Sequence, residues 1–252
     1  MGTPVVITGA SSGIGAALAL EMGRRGHAVG LIARRVEKLE DLAETLRSEG
    51  AEVHVAAADV VDREALRDAI ASCEAALGPT EVLVANAGIG GRLQADKAWD
   101  GDQVRQVMEV NYFGATYAAE AVLPGMLERG SGQLVVVSSV AATRGLPGAG
   151  PYSASKAAVS ALWESMRTQL KPRGINVLSI HPGFVKTPLT DKNDMAMPFM
   201  VSAEQAAKWM ADAIGARRRE LTYPWQMAFV RWLMKRVPDW LFDALVGGRG
   251  LK

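Results

Sequence analysis

The chain of 252 residues contains one cysteine, Cys73, so no intramolecular disulfide can form. That excludes a disulfide-framed scaffold and favours a reducing compartment. Cys73 itself reads as a small apolar filler on a helix. The sequence also lacks any run of about 20 uninterrupted apolar residues, so no transmembrane helix is expected. Pro4 to Ile7 already reads as a strand, with neither a basic region nor a long apolar stretch before it. No signal peptide is therefore expected, and the default location is the cytoplasm. An excess of one charge is missing too: Lys plus Arg number 28, Asp plus Glu 27, and the formal net charge is +1. A nucleic-acid partner would need a basic surplus gathered on one face, and none is expected. No metal-ligand set, low-complexity linker or repeat at solenoid periods is read, so residues 1–252 are expected to form one domain. What remains is 49% hydrophobic and 22% charged, the profile of an ordinary globular core.

Short apolar runs alternate with amphipathic stretches along the chain. Strands are expected at 5–7, 28–33, 52–57, 82–85, 133–137 and 176–180. Helices are expected at 13–25, 36–48, 62–77, 102–128 and 152–170. Several strands are apolar throughout, without alternation, as when helices cover both faces of a sheet. Repeated βα units imply an α/β fold with a doubly wound parallel sheet. In such sheets the ligand lies beyond the carboxyl ends of the strands, at the switch point. The unusual residues collect after strands: Thr8 to Gly15, Arg34-Arg35, Asp59, Asn86 to Gly88, Ser138-Ser139 and His181 to Thr187.

The segment Thr8-Gly9-Ala10-Ser11-Ser12-Gly13-Ile14-Gly15 joins the first strand to the first helix. Its glycines allow a tight turn and let backbone amides approach an anion, and the helix dipole favours a pyrophosphate there. The spacing is G-x-x-x-G-x-G, not the G-x-G-x-x-G of the common dinucleotide fingerprint. T-G-A-S-S-G-I-G resembles the short-chain dehydrogenase/reductase family, and motifs follow in family order from Val5 to about Pro188. The resemblance implies a single-domain Rossmann fold, an oxidoreductase, a nicotinamide cofactor and a homodimer or homotetramer. The cofactor contacts it implies begin with Gly9, Ser11, Ser12, Gly13, Ile14 and Gly15.

At the end of the second strand, where an NAD enzyme of this fold commonly carries an acid, the chain reads Ala33-Arg34-Arg35. A small neutral residue leaves room and a guanidinium can bind a phosphate bidentately, so NADP(H) is the expected cofactor. Two solvated arginines are the plainer alternative. Asp59, followed by Val60, resembles the family's aspartate near the adenine ring, though a helix N-cap or loop acid explains it as well. Asn86-Ala87-Gly88 matches the family's N-A-G, with the Asn amide tying strand ends and the Gly letting the backbone pass the cofactor.

Tyr152 and Lys156 are four apart at a helix start, which puts both on one face. A phenol ionises near pH 10, and an adjacent ammonium together with a positive nicotinamide ring would lower that value. Tyr152 is then expected to exchange the proton of an alcohol or ketone while hydride moves to or from the nicotinamide. The resemblance gives Lys156 a second role on the nicotinamide ribose. Ser139, thirteen residues before Tyr152, stands where the family has its catalytic serine, and its hydroxyl would hold the substrate oxygen. Ser138 reads as a strand-end hydrogen bonder. Asn111 completes the family's tetrad, bending its helix and holding a water next to Lys156; a solvated Asn is the alternative. His181-Pro182-Gly183 departs from the family, which usually has Asn or Arg before P-G. His181 is read as a structural turn residue, and Pro182, Gly183, Val185 and Thr187 as cofactor contacts, the last two at the carboxamide.

Residues 188–202 resemble the family's substrate loop. Leu189, Met195, Met197, Pro198, Phe199 and Met200 suggest an adaptable apolar pocket for a hydrophobic ketone or alcohol. Residues 225–246 read as an apolar helical pair, with Pro238 at a start and Gly247 at a stop. Its surplus of tryptophan suits a cap over the cleft, a subunit interface or a membrane-surface contact. Two other functions compete: a 3-oxoacyl-thioester reductase, and a regulatory protein that binds NADP without turnover.

Overall fold

A computed structural model describes residues 2–92, 100–191 and 197–246. Met195 and Gly247 fall outside the described residues. The strands are β1 (Pro4–Thr8), β2 (Ala28–Ala33), β3 (Val53–Ala57), β4 (Val82–Ala85), β5 (Gly132–Val137), β6 (Ile175–Pro182) and β7 (Glu220–Tyr223). All pair in parallel, in the order β3-β2-β1-β4-β5-β6-β7. β2 and β5 are buried at every position, which is why β2, and β5 after Gln133, run apolar without alternation. Neighbours in one strand still serve opposite faces. Leu31 packs with Leu18, Leu39 and Met210 under α1 (Gly13–Arg24), α2 (Val36–Ser48) and α7 (Ala203–Gly215). Ile32 packs with Ile70, Cys73 and Trp163 under α3 (Arg63–Leu77), α5 (Gly114–Arg129) and α6 (Gly150–Leu170). Cys73 is wholly buried, and burial pushes its thiol up to about 12, so it is the inert filler its context suggests.

The chain winds outward from β1 to β3, then crosses back to β4 beside β1. The two crossovers diverge there and leave a crevice between the ends of β1 and β4.

Three elements differ from expectation. The long helix expected at 102–128, with a bend at Asn111, goes further than a bend and is divided into α4 (Gly101–Met108), a π-helical turn (Glu109–Phe113) and α5. The turn falls on Asn111, and a side chain bonded outside its helix is an ordinary cause of such a bulge. Second, α7 and β7 extend the fold beyond the strand expected at 176–180. Ser202 caps α7 by accepting from the Gln205 amide at 3.1 Å, and Ala206, Met210 and Ala213 mark its buried face. β7 is a short edge strand with one aliphatic residue, too little to stand out as a pattern. Third, β6 runs on to Pro182, and His181 pairs with Thr222 of β7. His181 is therefore a strand residue, not a turn residue: its partner strand extends the ladder.

Two helices end the described chain, α8 (Trp225–Met234) and α9 (Asp239–Val246). Met227 and Phe242 are buried beneath them, whereas Trp225, Phe229, Trp232, Trp240 and Leu245 face outward. No helix among the described residues is long and apolar enough to cross a membrane.

Candidate active site

A cleft of about 360 Å³ lies over the carboxyl ends of the strands at the crevice. Its floor begins with the loop after β1. Gly9 and Gly13 have φ of +67° and +58°, which L side chains resist. A Cβ on Gly9 would also lie 2.7 Å from Ala87 Cα, so the loop presses directly on the segment after β4. That segment is tied down by Asn86, whose side-chain amide donates to the Thr8 and Gly9 carbonyls at 3.0 and 3.3 Å. Its backbone N–H donates to Thr8 Oγ1 at 3.1 Å. Asn86 thus joins neighbouring strand ends, as expected. No acid stands in the first turn of α1, and Ser12 makes no side-chain cap, so the opening amides of the helix face the cleft beside Ser11, Ser12, Gly13 and Ile14. Gly15 faces away. A Cβ there would meet Asn86 Nδ2 and Gly9 O at 2.5 Å, so its smallness lets helix and loop pack closely.

Ala33, Arg34, Arg35, Asp59 and Val60 line one end. Arg35 donates from Nη2 to both Ser11 Oγ and Ser12 Oγ at 2.8 Å, which fixes its guanidinium over the glycine loop. Arg34 is 67% exposed and reaches Asp59 only at 3.4 Å. Asp59 is not the cap of α3; Asp62 is, accepting from the Ala65 amide at 3.0 Å.

Ser139, Tyr152 and Lys156 line the other end, with Gly88, Pro182, Gly183, Val185 and Thr187. Lys156 is buried and donates from Nζ to the Val137 carbonyl at 2.8 Å, while its Nζ stands 5.9 Å from the Tyr152 ring centroid. Burial alone pushes the ammonium down to about 8. Burial also raises the Tyr152 phenol above its ordinary value, and the hydrogen-bonding Ser139 hydroxyl pulls the other way. The phenol expected to be acidified is therefore not acidified by Lys156 in the protein alone. Desolvation outweighs an ammonium turned toward a carbonyl.

Asn111 lies behind the cleft wall, almost fully buried. Its Oδ1 accepts from the Ile89 amide at 2.8 Å, and its Nδ2 donates to Ile89 O at 2.9 Å and Ser155 Oγ at 3.0 Å. Ser155 Oγ donates in turn to the Tyr152 carbonyl at 2.8 Å. Asn111 is thus a clamp joining the π turn, the segment after β4 and α6, and a solvated Asn is excluded. A Cβ on Gly88 would lie 3.2 Å from Lys156 Nζ and 3.3 Å from Asn111 Oδ1, so the three groups converge. Ser138 donates to the Lys156 carbonyl at 3.0 Å, a strand-end anchor as read.

Sequence reasoning passed over Thr190. Its hydroxyl donates to the Val185 carbonyl at 2.7 Å and accepts from the Thr187 amide at 3.0 Å, shaping the segment after β6. The T-P-L-T spacing carried a signal, since threonine hydroxyls close such turns locally. None of the cleft-lining residues comes from α8 or α9.

A parallel sheet with a glycine loop at its switch point and a Ser, Tyr and Lys across the cleft defines a doubly wound α/β protein of dehydrogenase type. More narrowly, the chain belongs to the short chain dehydrogenase family, whose family model matches residues 3–197. It is 41% identical over 240 residues to an uncharacterized oxidoreductase of Myxococcus xanthus, covering 95% of this chain and 94% of that one. Its fold matches an alcohol dehydrogenase of Thermococcus sibiricus complexed with 5-hydroxy-NADP, at a TM-score of 0.80 and 28% identity, over 88% of this chain and 96% of that one. It also matches a short chain dehydrogenase/reductase of Burkholderia phymatum in complex with NAD, at a TM-score of 0.83 and 27% identity, over 91% and 92% of the two chains.

Proposed function

We propose that the protein is an NADP(H)-dependent oxidoreductase that interconverts a hydrophobic ketone and its secondary alcohol, with Tyr152 as the proton carrier. The observation that carries this reading is one continuous cleft with a phosphate-sized glycine loop at one end and Ser139, Tyr152 and Lys156 at the other. A dinucleotide fits the residues present. Positive-φ glycines and uncapped helix amides suit a pyrophosphate, and the arginines stand where the adenosine end would lie. The relatives of this fold include complexes with both NADP and NAD derivatives, so the preference rests on this chain's own residues. Ala33 offers no carboxylate to a ribose, and exposed Arg34 is open to a phosphate.

When bound, the cofactor supplies or accepts the hydride. The Ser139 hydroxyl holds the substrate oxygen, and the Tyr152 phenol gives that oxygen a proton or takes one from it. Lys156 has three N–H donors and spends one on Val137, which leaves two for the phenol and the ribose side of the cleft. Asn111 holds the wall from which Tyr152 and Lys156 project. Leu189 and the apolar residues of 197–200 favour a substrate without many hydroxyls.

The test is NADPH consumption, followed by absorbance, against a panel of ketones from short and polar to bulky and apolar. Apolar ketones are expected to react faster, and Tyr152→Phe to abolish turnover. Tight NADPH binding without turnover across the panel would overturn the reading.

A further inference from the structure

His181 sits inside β6, only 2% exposed, and its ring bridges the Ser139 backbone and α8. Nδ1 lies 3.3 Å from the Ser139 backbone oxygen, and Nε2 lies 3.2 Å from Arg231 Nη2 on α8. A carbonyl oxygen only accepts and a guanidinium only donates. These two partners call for a neutral ring with its proton on Nδ1 and a lone pair on Nε2, and Glu220 Oε1, 3.5 Å from Nε2, is the acceptor that competes with that tautomer. Burial first, and then the Arg231 cation, hold the imidazole down to about 4; Lys235, just past the end of α8, acts in the same direction, and Glu220 of β7 and the bond to the Ser139 carbonyl oppose them. Glu220 also pairs with Arg231 through Nη1, fixing the guanidinium against the ring.

The far end of the same turn is fastened to the same helices. Residues 140–143 form a short 3-10 turn after Ser139, and Arg144 closes it. Arg144 donates to the Val237 carbonyl at 2.8 Å and the Asp239 carboxylate at 2.6 Å, and its guanidinium lies 4.4 Å over the Phe242 ring. The segment from Ser139 to Arg144 is therefore strapped at both ends to α8 and α9, although neither helix lines the cleft.

We propose that the C-terminal helices are a positioning device for the Ser139 turn, acting through the Arg231–His181 pair at its start and Arg144 at its end. His181, Arg231 and Arg144 are positioning residues: none lines the cleft, and each acts through the backbone that aims the Ser139 hydroxyl. The proposal rests on the reading of Ser139 as donor to the substrate oxygen, but its first test does not require activity. Imidazole nitrogen NMR of the whole protein near pH 7 is expected to show Nδ1 protonated and Nε2 bare. A ring protonated at Nε2, or charged, overturns it.

Kinetics supply the second test. An asparagine amide reaches where Nδ1 stands, and a glutamine amide reaches where Nε2 stands. His181→Asn keeps the bond to Ser139 and is expected to hold kcat within about three-fold, while His181→Gln gives up that bond and loses about ten-fold or more. The KM for NADPH is expected to stay unchanged in both, and Arg231→Lys to retain more kcat than Arg231→Met. If His181→Gln and Arg231→Met melt like the parent and keep full kcat, the strap does not position Ser139. Should a variant fail to fold, the NMR result on the parent protein decides alone. A parent that shows the expected tautomer yet reduces no ketone contradicts the proposed function and leaves the strap standing.

Discussion

Lys156 Nζ is bonded to the Val137 carbonyl at 2.8 Å and stands 5.9 Å from the centre of the Tyr152 ring. The two residues that the family's chemistry would couple are adjacent but not engaged in the protein alone. Both are desolvated, and each is shifted toward its neutral form, the phenol upward and the ammonium down to about 8. A bound nicotinamide would bring the positive charge that tips the pair toward phenolate and ammonium.

That arrangement has a cost in stability with a definite sign. Lys156 titrates near 8 in the folded protein and near 10.5 when unfolded. Between those values the unfolded chain binds more protons, so this group's contribution is fully present above about 10.5 and is lost as pH falls toward 8. At pH 7 the buried ammonium therefore costs about 3 kcal/mol, taking about 1.4 kcal/mol per pH unit. Lys156→Met is expected to be more stable than the parent at pH 7, with the gap shrinking toward pH 10.5, while turnover collapses. Urea melts at the two pH values check this; equal stability at both would contradict it.

Ser139→Ala is expected to lower kcat about 100-fold, as loss of an oxyanion donor does, with little change in NADPH binding. Ala141 N donates to Ser139 Oγ at 3.1 Å, so the alanine variant leaves one part-buried amide unpartnered and should melt within about 1–2 kcal/mol of the parent. A KM effect with kcat preserved would assign the hydroxyl to ground-state binding instead.

Arg34→Ala is expected to raise the KM for NADPH about ten- to 100-fold and to leave NADH almost unaffected, the range expected for losing a charge-assisted phosphate contact. Arg35, already spent on Ser11 and Ser12, should matter to both cofactors because it braces the shared loop. Parallel titrations of the two cofactors distinguish these outcomes. Equal losses for NADPH and NADH in Arg34→Ala would remove the basis for an NADP preference.

The buried and exposed faces of α8 and α9 should respond differently to substitution. Met227 is 7% exposed, and its side chain fills the space a Cβ on Gly183 would claim, 2.6 Å from Met227 Cγ. Met227→Ala is expected to cost about 2–4 kcal/mol. Trp225 and Trp240 are 75% and 71% exposed, so exchanging both for Ser should change monomer stability by less than about 1 kcal/mol. Thermal melts over a range of protein concentrations give the comparison. A large, concentration-dependent loss from the tryptophan exchange would mean that a second copy covers this face.

Much of this protein is dictated by its sequence alone. The runs at 28–33 and 82–85 are strands from end to end because a two-sided apolar segment has no other stable place. Gly9 and Gly13 turn as expected because few other residues tolerate their φ, and Tyr152 and Lys156 share a face because helical spacing is a local property. The tertiary structure decided what depends on distant partners. It set where β6 ends, because β7 had to pair with it, and broke the helix at Asn111, because Ile89 and Ser155 capture that amide. It also turned Lys156 to Val137 and His181 to Arg231. Hydrogen bonds between residues 19 and 50 apart are chosen by the packed core, and no local pattern records them.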